Sequence, residues 1–204
     1  QGDLVGHVTD HGNKFEGDDP YKYNIRAYTT TVAIPPHTDS CDLVGLLCVR
    51  PSKSGGESAV VSATALYNAF LDSRPDLLEP LYNGFHIDLV GKGTKAKELS
   101  EHRIPVFSYW GGKLSCRYNK GQIEHGAKKA HGGLTDIEQE AVDHFRELSV
   151  RPEFCLKMEF RPGDIQMLNN RTTLHSRTAF DDYVDTERRR LLPRLWLNSF
   201  TPRP

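Results

Sequence analysis

The hydrophobic positions of this chain fall mostly into short runs that alternate, and only three stretches wind with a helical period. Ile25, Ala27, Thr29, Thr31 and Ala33 recur at every second residue, which predicts a strand with one buried face. Pro35-Pro36 is expected to end it, because proline has no N–H to give to a ladder. Leu43 to Val49 is a continuous apolar run of a length that suits a buried strand, Ser54-Gly55-Gly56 predicts a turn, and Ser58 to Ser62 predicts the next strand. Phe85 to Val90 reads as another. Phe154, Leu156, Met158 and Phe160 alternate, which predicts a strand with one buried face. Arg161-Pro162-Gly163-Asp164 turns into Ile165 to Leu168. Leu191 to Leu197 closes the series, and Pro193 within it points to an edge strand or a bulge.

The helical stretches sit between these runs. One begins near Ala63 and carries Leu66, Phe70 and Leu71; Pro75 is suited to the first turn of a second. Thr135-Asp136-Ile137-Glu138 is a capping-box pattern, and Ile137, Ala141, Phe145 and Leu148 follow it on one face. Gly2 to Pro20, rich in Gly, Asp, Asn and His, predicts an irregular entry segment. Many short strands between Gly/Pro turns, with a few helices, predict a mainly β chain of the α+β class, folded as a jelly roll or barrel rather than a βαβ sheet.

Composition narrows the function classes more than the fold. A length of 204 residues fits one domain, 1–204, with a real core. At 37% hydrophobic and 26% charged the chain reads as soluble and globular rather than disordered. Lys plus Arg is 26 against 27 Asp plus Glu, so there is no basic excess to suggest a nucleic-acid partner. No apolar run is long enough to span a membrane. Cys41, Cys48, Cys116 and Cys155 form no CxxC pair, and they are expected to be reduced thiols of a cytoplasmic protein. The chain opens on Gln1 rather than Met, so it is expected to lack an N-terminal part of the full-length protein.

The candidate chemistry lies in His37, Asp39 and His175. Residues two apart on an extended segment face the same side, so His37-Thr38-Asp39 can present an imidazole and a carboxylate to one metal ion. A third ligand from a distant strand would complete two histidines and one carboxylate on one face of the ion, the set used by non-haem iron(II) oxygenases with open positions opposite. An HxD pair alone is weak, and the chain holds a second, His86-Ile87-Asp88, which reads as polar residues on an edge strand. His175 alone reads as an ordinary hydrogen-bonded histidine, and the run Arg188-Arg189-Arg190 beside Asp181, Asp182 and Asp185 as a solvated charged face. Asn169-Asn170 reads either as a turn or as a group that orients a metal ligand. His7, His11, His125 and His131 lie in Gly-rich segments with no role expected.

Taken together and in order, His37-Thr38-Asp39-Ser40, Gly55-Gly56-Glu57-Ser58, Asn169-Asn170 leading to His175, and Arg190 and Arg194 before Leu195-Trp196-Leu197 resemble the TauD/TfdA, taurine dioxygenase-like family of iron(II)- and 2-oxoglutarate-dependent dioxygenases. The resemblance covers about Arg26 to Leu197, with the histidines 175 − 37 = 138 residues apart. It implies a double-stranded β-helix, a cupin-like jelly roll with helices outside, and iron(II) held by His37, Asp39 and His175. It implies 2-oxoglutarate as co-substrate, its far carboxylate gripped by Arg190 and by the hydroxyl of Ser58, which stands where the family has a threonine. Arg190 follows the distal histidine by 190 − 175 = 15 residues, a slightly longer gap than the family pattern. Arg194 matches the arginine that meets an acidic group of the prime substrate, and Arg117 falls in a stretch that approaches the site.

The implied reaction consumes dioxygen, releases succinate and carbon dioxide, and oxidises a C–H bond of a small amino or carboxylic acid. Hydroxylation is the default, with ring closure and desaturation as variants. A cupin-type metalloenzyme without 2-oxoglutarate and a catalytically silent jelly roll remain open, as does a homo-oligomer.

Overall fold

The computed structural model describes residues 4–13, 17, 25–89 and 98–199. In chain order its elements are β1 (Gly6–Val8), β2 (Ile34–His37), β3 (Leu43–Leu47), β4 (Ser54–Gly55), β5 (Ser58–Ser62), α1 (Ala63–Ser73) and α2 (Leu78–Asn83). There follow β6 (Phe107–Trp110), β7 (Lys113–Cys116), α3 (Lys120–His131), α4 (Asp136–Leu148), β8 (Cys155–Met158), β9 (Ile165–Asn169), β10 (Thr173–Arg177), β11 (Phe180–Asp181) and β12 (Leu192–Leu197).

Two antiparallel sheets make the body, in the orders β1-β12-β3-β9 and β2-β10-β5-β8. Partners are distant in sequence: β3 lies between β9 and β12, and β5 between β8 and β10. This is a jelly roll, mainly β with flanking helices, as expected. Its site is therefore assembled by long-range pairing.

Strand alternation then separates two environments. On β10 and β5, Leu174 and Val61 turn outward and are fully buried under the helices, packed with Leu66, Phe70, Leu81 and Phe145. Their neighbours His175 and Val60 sit opposite each other on the other face of the sheet, the one that looks into the roll. Inside the roll the apolar packing is slight, a small cluster of Val8, Cys48 and Leu192. Burial thus concentrates on the helical side, and the interior between the sheets is left to polar groups.

Several sequence expectations hold, and others are corrected. α1 begins at Ala63 as expected, with Ser62 as its side-chain cap, and the Thr135/Glu138 capping box opens α4. Ala141, Phe145 and Leu148 are buried as expected, but Ile137 in the first turn is exposed. Pro75 starts a short 3-10 turn that runs into α2.

The alternation from Ile25 to Ala33 is not a strand: Ala27–Thr29 is a 3-10 turn, and the ladder is carried by Ile34–His37, prolines included. They are tolerated because β2 is an edge strand, and its register against β10 slips between His37 and Ile34, a bulge where an N–H is dispensable. Pro193 is not on an edge, since β12 runs between β1 and β3, but it does adjoin a bulge: Leu191 pairs with Arg50 and Arg194 with Leu46, a slip of one residue, and Val49 and Arg50 both donate to the Leu191 carbonyl. The β3 ladder begins only at Arg194, so Pro193 pairs on one side, with His7.

β1 forms within the segment expected to be irregular, and Ser54–Gly55 is a short strand paired with β11. Phe85 and Asp88 make isolated bridges rather than a strand, and Val90 lies outside the described residues. The alternation on β8, the far edge of its sheet, gives no buried face: Leu156 is two-thirds exposed, with no layer packed over it among the described residues. All four cysteines are free, and no helix among the described residues is long and apolar enough to cross a membrane.

Candidate metal centre

Register builds the centre. His175 on β10 pairs with His37 on β2, so both imidazoles leave the sheet on its inner face, with ring centroids 4.3 Å apart. Asp39, two residues past His37, lies beyond the end of β2, and its position is fixed by buried Asn170. The Asn170 side chain accepts from the Asp39 backbone N–H at 3.0 Å and donates to the carbonyls of Asp39 and Cys41, each at 2.7 Å. Thr38 ties the same loop to the helical core. Its N–H donates to the Tyr118 carbonyl at 2.8 Å, its hydroxyl accepts from the Tyr118 N–H at 3.0 Å, and the Tyr118 ring stacks on Phe145 at 3.9 Å.

The ligating atoms of His37, Asp39 and His175 all lie within 4.8 Å of one another. The two Nε2 atoms approach the Asp39 carboxylate at 3.7 Å and 3.6 Å. These separations are too long for hydrogen bonds and suit ligands that share an ion. His37 Nδ1 lies 2.9 Å from the Pro35 carbonyl, which can only accept, so the proton sits on Nδ1 and the Nε2 lone pair is directed at the centre. Burial, with His37 and Arg194 nearby, pushes His175 down to about 3 against the pull of Asp39, so this imidazole is neutral at physiological pH. Burial pushes the Asp39 carboxyl up, but His37, His175, Arg194 and the Trp196 indole N–H together outweigh it and hold the group below its ordinary value.

Two neutral-capable nitrogens and a carboxylate, converging without bonding to each other, fit a divalent iron ion with part of its coordination sphere left open. His175 Nδ1 is buried with no partner, and neither ring nitrogen of this histidine makes a hydrogen bond among the described residues. A ligand on Nε2 would offset part of that cost.

Loss of the Asn170 side chain would leave buried carbonyls unpaired and free the Asp39 backbone. Asn170→Ala is expected to cost about 2–3 kcal/mol of stability. It should also weaken metal affinity by about 10- to 100-fold, the range for groups that orient ligands. Denaturant unfolding and a cobalt(II) titration check the two effects separately.

The centre opens into a cavity of about 480 Å³. Arg194 lies on its wall, 3.8 Å from the Asp39 carboxylate, its guanidinium 4.6 Å from the Tyr28 ring and 4.5 Å from the Trp196 ring. Trp196, two residues along β12 from Arg194, donates to Asp39 at 2.9 Å. His125 and Arg146, from α3 and α4, also line this cavity. No role was expected for His125 or Trp196. Both had a signal: Trp196 shares a strand face with Arg194, and Asn119 caps the helix that carries His125.

Arg117 reaches the cavity only through Ser40, to whose hydroxyl it donates at 3.1 Å. Burial and nearby Arg171 press its basicity down. Ser58 and Arg190 are buried but do not line this cavity; Arg190 faces a second one of about 190 Å³. Burial lowers Arg190 to about 10, against the pull of Cys48 and Asp182. His86 and Asp88 form no metal cluster among the described residues: His86 bonds the Ser100 carbonyl, and Asp88 pairs with Lys129 at 2.9 Å.

A family model described as taurine catabolism dioxygenase TauD, TfdA family, matches residues 2–196. FR-33289 synthase of Streptomyces rubellomurinus is 36% identical over 200 residues, which are 97% of this chain and 58% of that protein. Taurine hydroxylase-like protein SAT17 of Stachybotrys chartarum is 30% identical over 197 residues, 94% of this chain and 49% of that protein. The chain thus spans about half the length of the curated relatives it matches. Among solved structures, asparagine oxygenase in complex with Fe(II), 2S,3S-3-hydroxyasparagine and succinate superposes with a TM-score of 0.73 at 18% identity, covering 96% of this chain and 56% of that one. The non-heme iron oxygenase OrfP with Fe and alpha-ketoglutaric acid gives 0.65 at 13% identity, covering 97% and 57%. At these identities the likeness bears on the fold alone, and it agrees with the jelly roll.

Proposed function

This chain belongs to the TauD/TfdA family, and we propose that it carries the catalytic core of an iron(II)- and 2-oxoglutarate-dependent dioxygenase that oxidises a small amino or carboxylic acid. The observation that carries this reading is the convergence of His37 Nε2, His175 Nε2 and the Asp39 carboxylate at one point. His37, Asp39 and His175 would hold iron(II), with Arg190 and Ser58 at the far carboxylate of 2-oxoglutarate. Bound together with dioxygen, these groups supply an oxidative decarboxylation, in which one oxygen atom enters succinate and the other is available to a substrate C–H bond.

The protein's share is position and charge. Asn170 and Thr38 hold the ligand loop, and Trp196 and Arg194 help keep Asp39 ionised. Arg194 offers a guanidinium fork to an anionic substrate group, beside rings that fix its plane. The substrate class is supported by the relatives, since the asparagine oxygenase structure holds a hydroxylated amino acid. The four free thiols suit a reducing, cytoplasmic setting.

The test is to supply iron(II), 2-oxoglutarate and dioxygen with a panel of amino acids and small carboxylic acids. Succinate should form faster with at least one of them, matched by a product that has gained oxygen or lost hydrogen. Metal-dependent turnover of a panel member without succinate would move the protein to the metalloenzymes that do not use 2-oxoglutarate.

A further inference from the structure

The inner face of β10 carries a second arginine that the family pattern does not assign. Arg177 lies two residues past His175, so it points into the roll from the same face, about 6.5 Å further along the strand. Its cross-strand partner on β5 is Ser58. Arg177 on β10 and Arg190 in the loop before β12 are both buried, with 6% and 4% of their surface exposed. Their guanidinium carbons lie 4.6 Å and 5.3 Å from the centre of one ring, that of Phe180.

Two cations thus share one ring, near enough for Arg190 to lower the basicity of Arg177. No carboxylate among the described residues comes within ion-pair distance of either guanidinium: the Asp182 carboxylate takes the Arg190 backbone N–H, and Asp10 lies near Arg189. One edge of Arg177 is used, its Nη2 donating to the carbonyls of Thr30 (2.9 Å) and Val32. The remaining donors are not. Arg177 Nε and Nη1, and Arg190 Nη1, are buried donors with no partner among the described residues. Buried guanidinium donors without an acceptor are costly, and two such groups together repel. A carboxylate that accepts from these donors would remove both penalties; it would take single charge-assisted bonds, since the nitrogen that shares an edge with Arg177 Nε is the occupied Nη2.

Resting on the proposed use of 2-oxoglutarate, we infer that Arg177 is a second clamp on the distal carboxylate. It works with Arg190 and Ser58 and sets the preference for a dicarboxylic 2-oxo acid over a monocarboxylic one. A distal methyl in the same place would leave three guanidinium N–H groups unpaired, so the preference arises as much from rejection as from attraction.

The test is anaerobic calorimetric titration of manganese(II)-loaded protein with 2-oxoglutarate and with 2-oxovalerate, a five-carbon 2-oxo acid without the distal carboxylate. It is run on wild type, Arg177→Gln and Arg177→Lys, with circular dichroism to check folding. The wild type should prefer 2-oxoglutarate strongly. Arg177→Gln should lose about 10- to 100-fold of 2-oxoglutarate affinity, the loss of a charge-assisted pair. Its 2-oxovalerate affinity should be unchanged. Arg177→Lys, which keeps a charge but not the Nε and Nη1 donors, should fall between and guards against misfolding of the glutamine variant. If both ligands weaken equally, or the preference survives in both variants, Arg177 only ties down Thr30 and Val32 and the inference is wrong. A wild type with no preference for 2-oxoglutarate would instead sink the co-substrate reading itself, and the clamp with it.

Discussion

His175→Ala is expected to abolish tight iron(II) binding while leaving the fold intact. Groups that merely orient metal ligands are worth about 10- to 100-fold in affinity, so removal of a ligand should cost more than about 100-fold. The fold should survive because of strand alternation. Leu174, the neighbour that turns toward the helices, is fully buried and untouched, whereas the His175 ring has two nitrogens with no hydrogen bond among the described residues. Deleting a buried polar ring with no partners removes little stabilisation. Metal titration by calorimetry alongside thermal unfolding reads both halves. A variant that keeps wild-type iron affinity would mean that His37 and Asp39 bind the metal with some other third ligand.

Arg190→Ala should have the next largest effect, and a different signature. Its guanidinium is buried, with Nη1 unpaired, and stands away from the metal ligands beside Gly56, where an added Cβ would lie 3.5 Å from Arg190 Nε. Removing the fork should raise the dissociation constant for 2-oxoglutarate by about 10- to 100-fold, and iron affinity should not change. Saturating 2-oxoglutarate should recover much of the turnover, which a loss of metal would not permit. An unchanged requirement for 2-oxoglutarate would remove Arg190 from the co-substrate site.

How much of this was legible in the sequence depends on the range of the interaction. Local features are readable: the capping box at Thr135, the helix start near Ala63, and the same-side geometry of His37 and Asp39, which needs only an extended backbone. His175 was not readable by itself, because only the pairing of β10 with β2 brings it to His37. The prolines at 35 and 36 were misread since their cost depends on the sheet position, and an edge with a bulge makes it small. Leu156 was misread for the converse reason: alternation marks a strand, but only a neighbouring layer makes one face buried. Arg177 was overlooked although its two-residue offset from His175 is the same spacing that singled out His37 and Asp39. His125 was set aside with the Gly-rich segments, yet Gly126 allows α3 to approach closely, an added Cβ there falling 2.2 Å from the His86 carbonyl oxygen.

The central claim is that His37, Asp39 and His175 present iron(II) to 2-oxoglutarate. Anaerobic titration of the iron(II)-loaded protein with 2-oxoglutarate, followed by the weak visible charge-transfer band of the chelate, tests it most directly. The account predicts a saturable band in the wild type, no band in His175→Ala, and a band in Arg190→Ala that needs far more 2-oxoglutarate. Iron that binds at the three residues while 2-oxoglutarate produces no band at any concentration would contradict it.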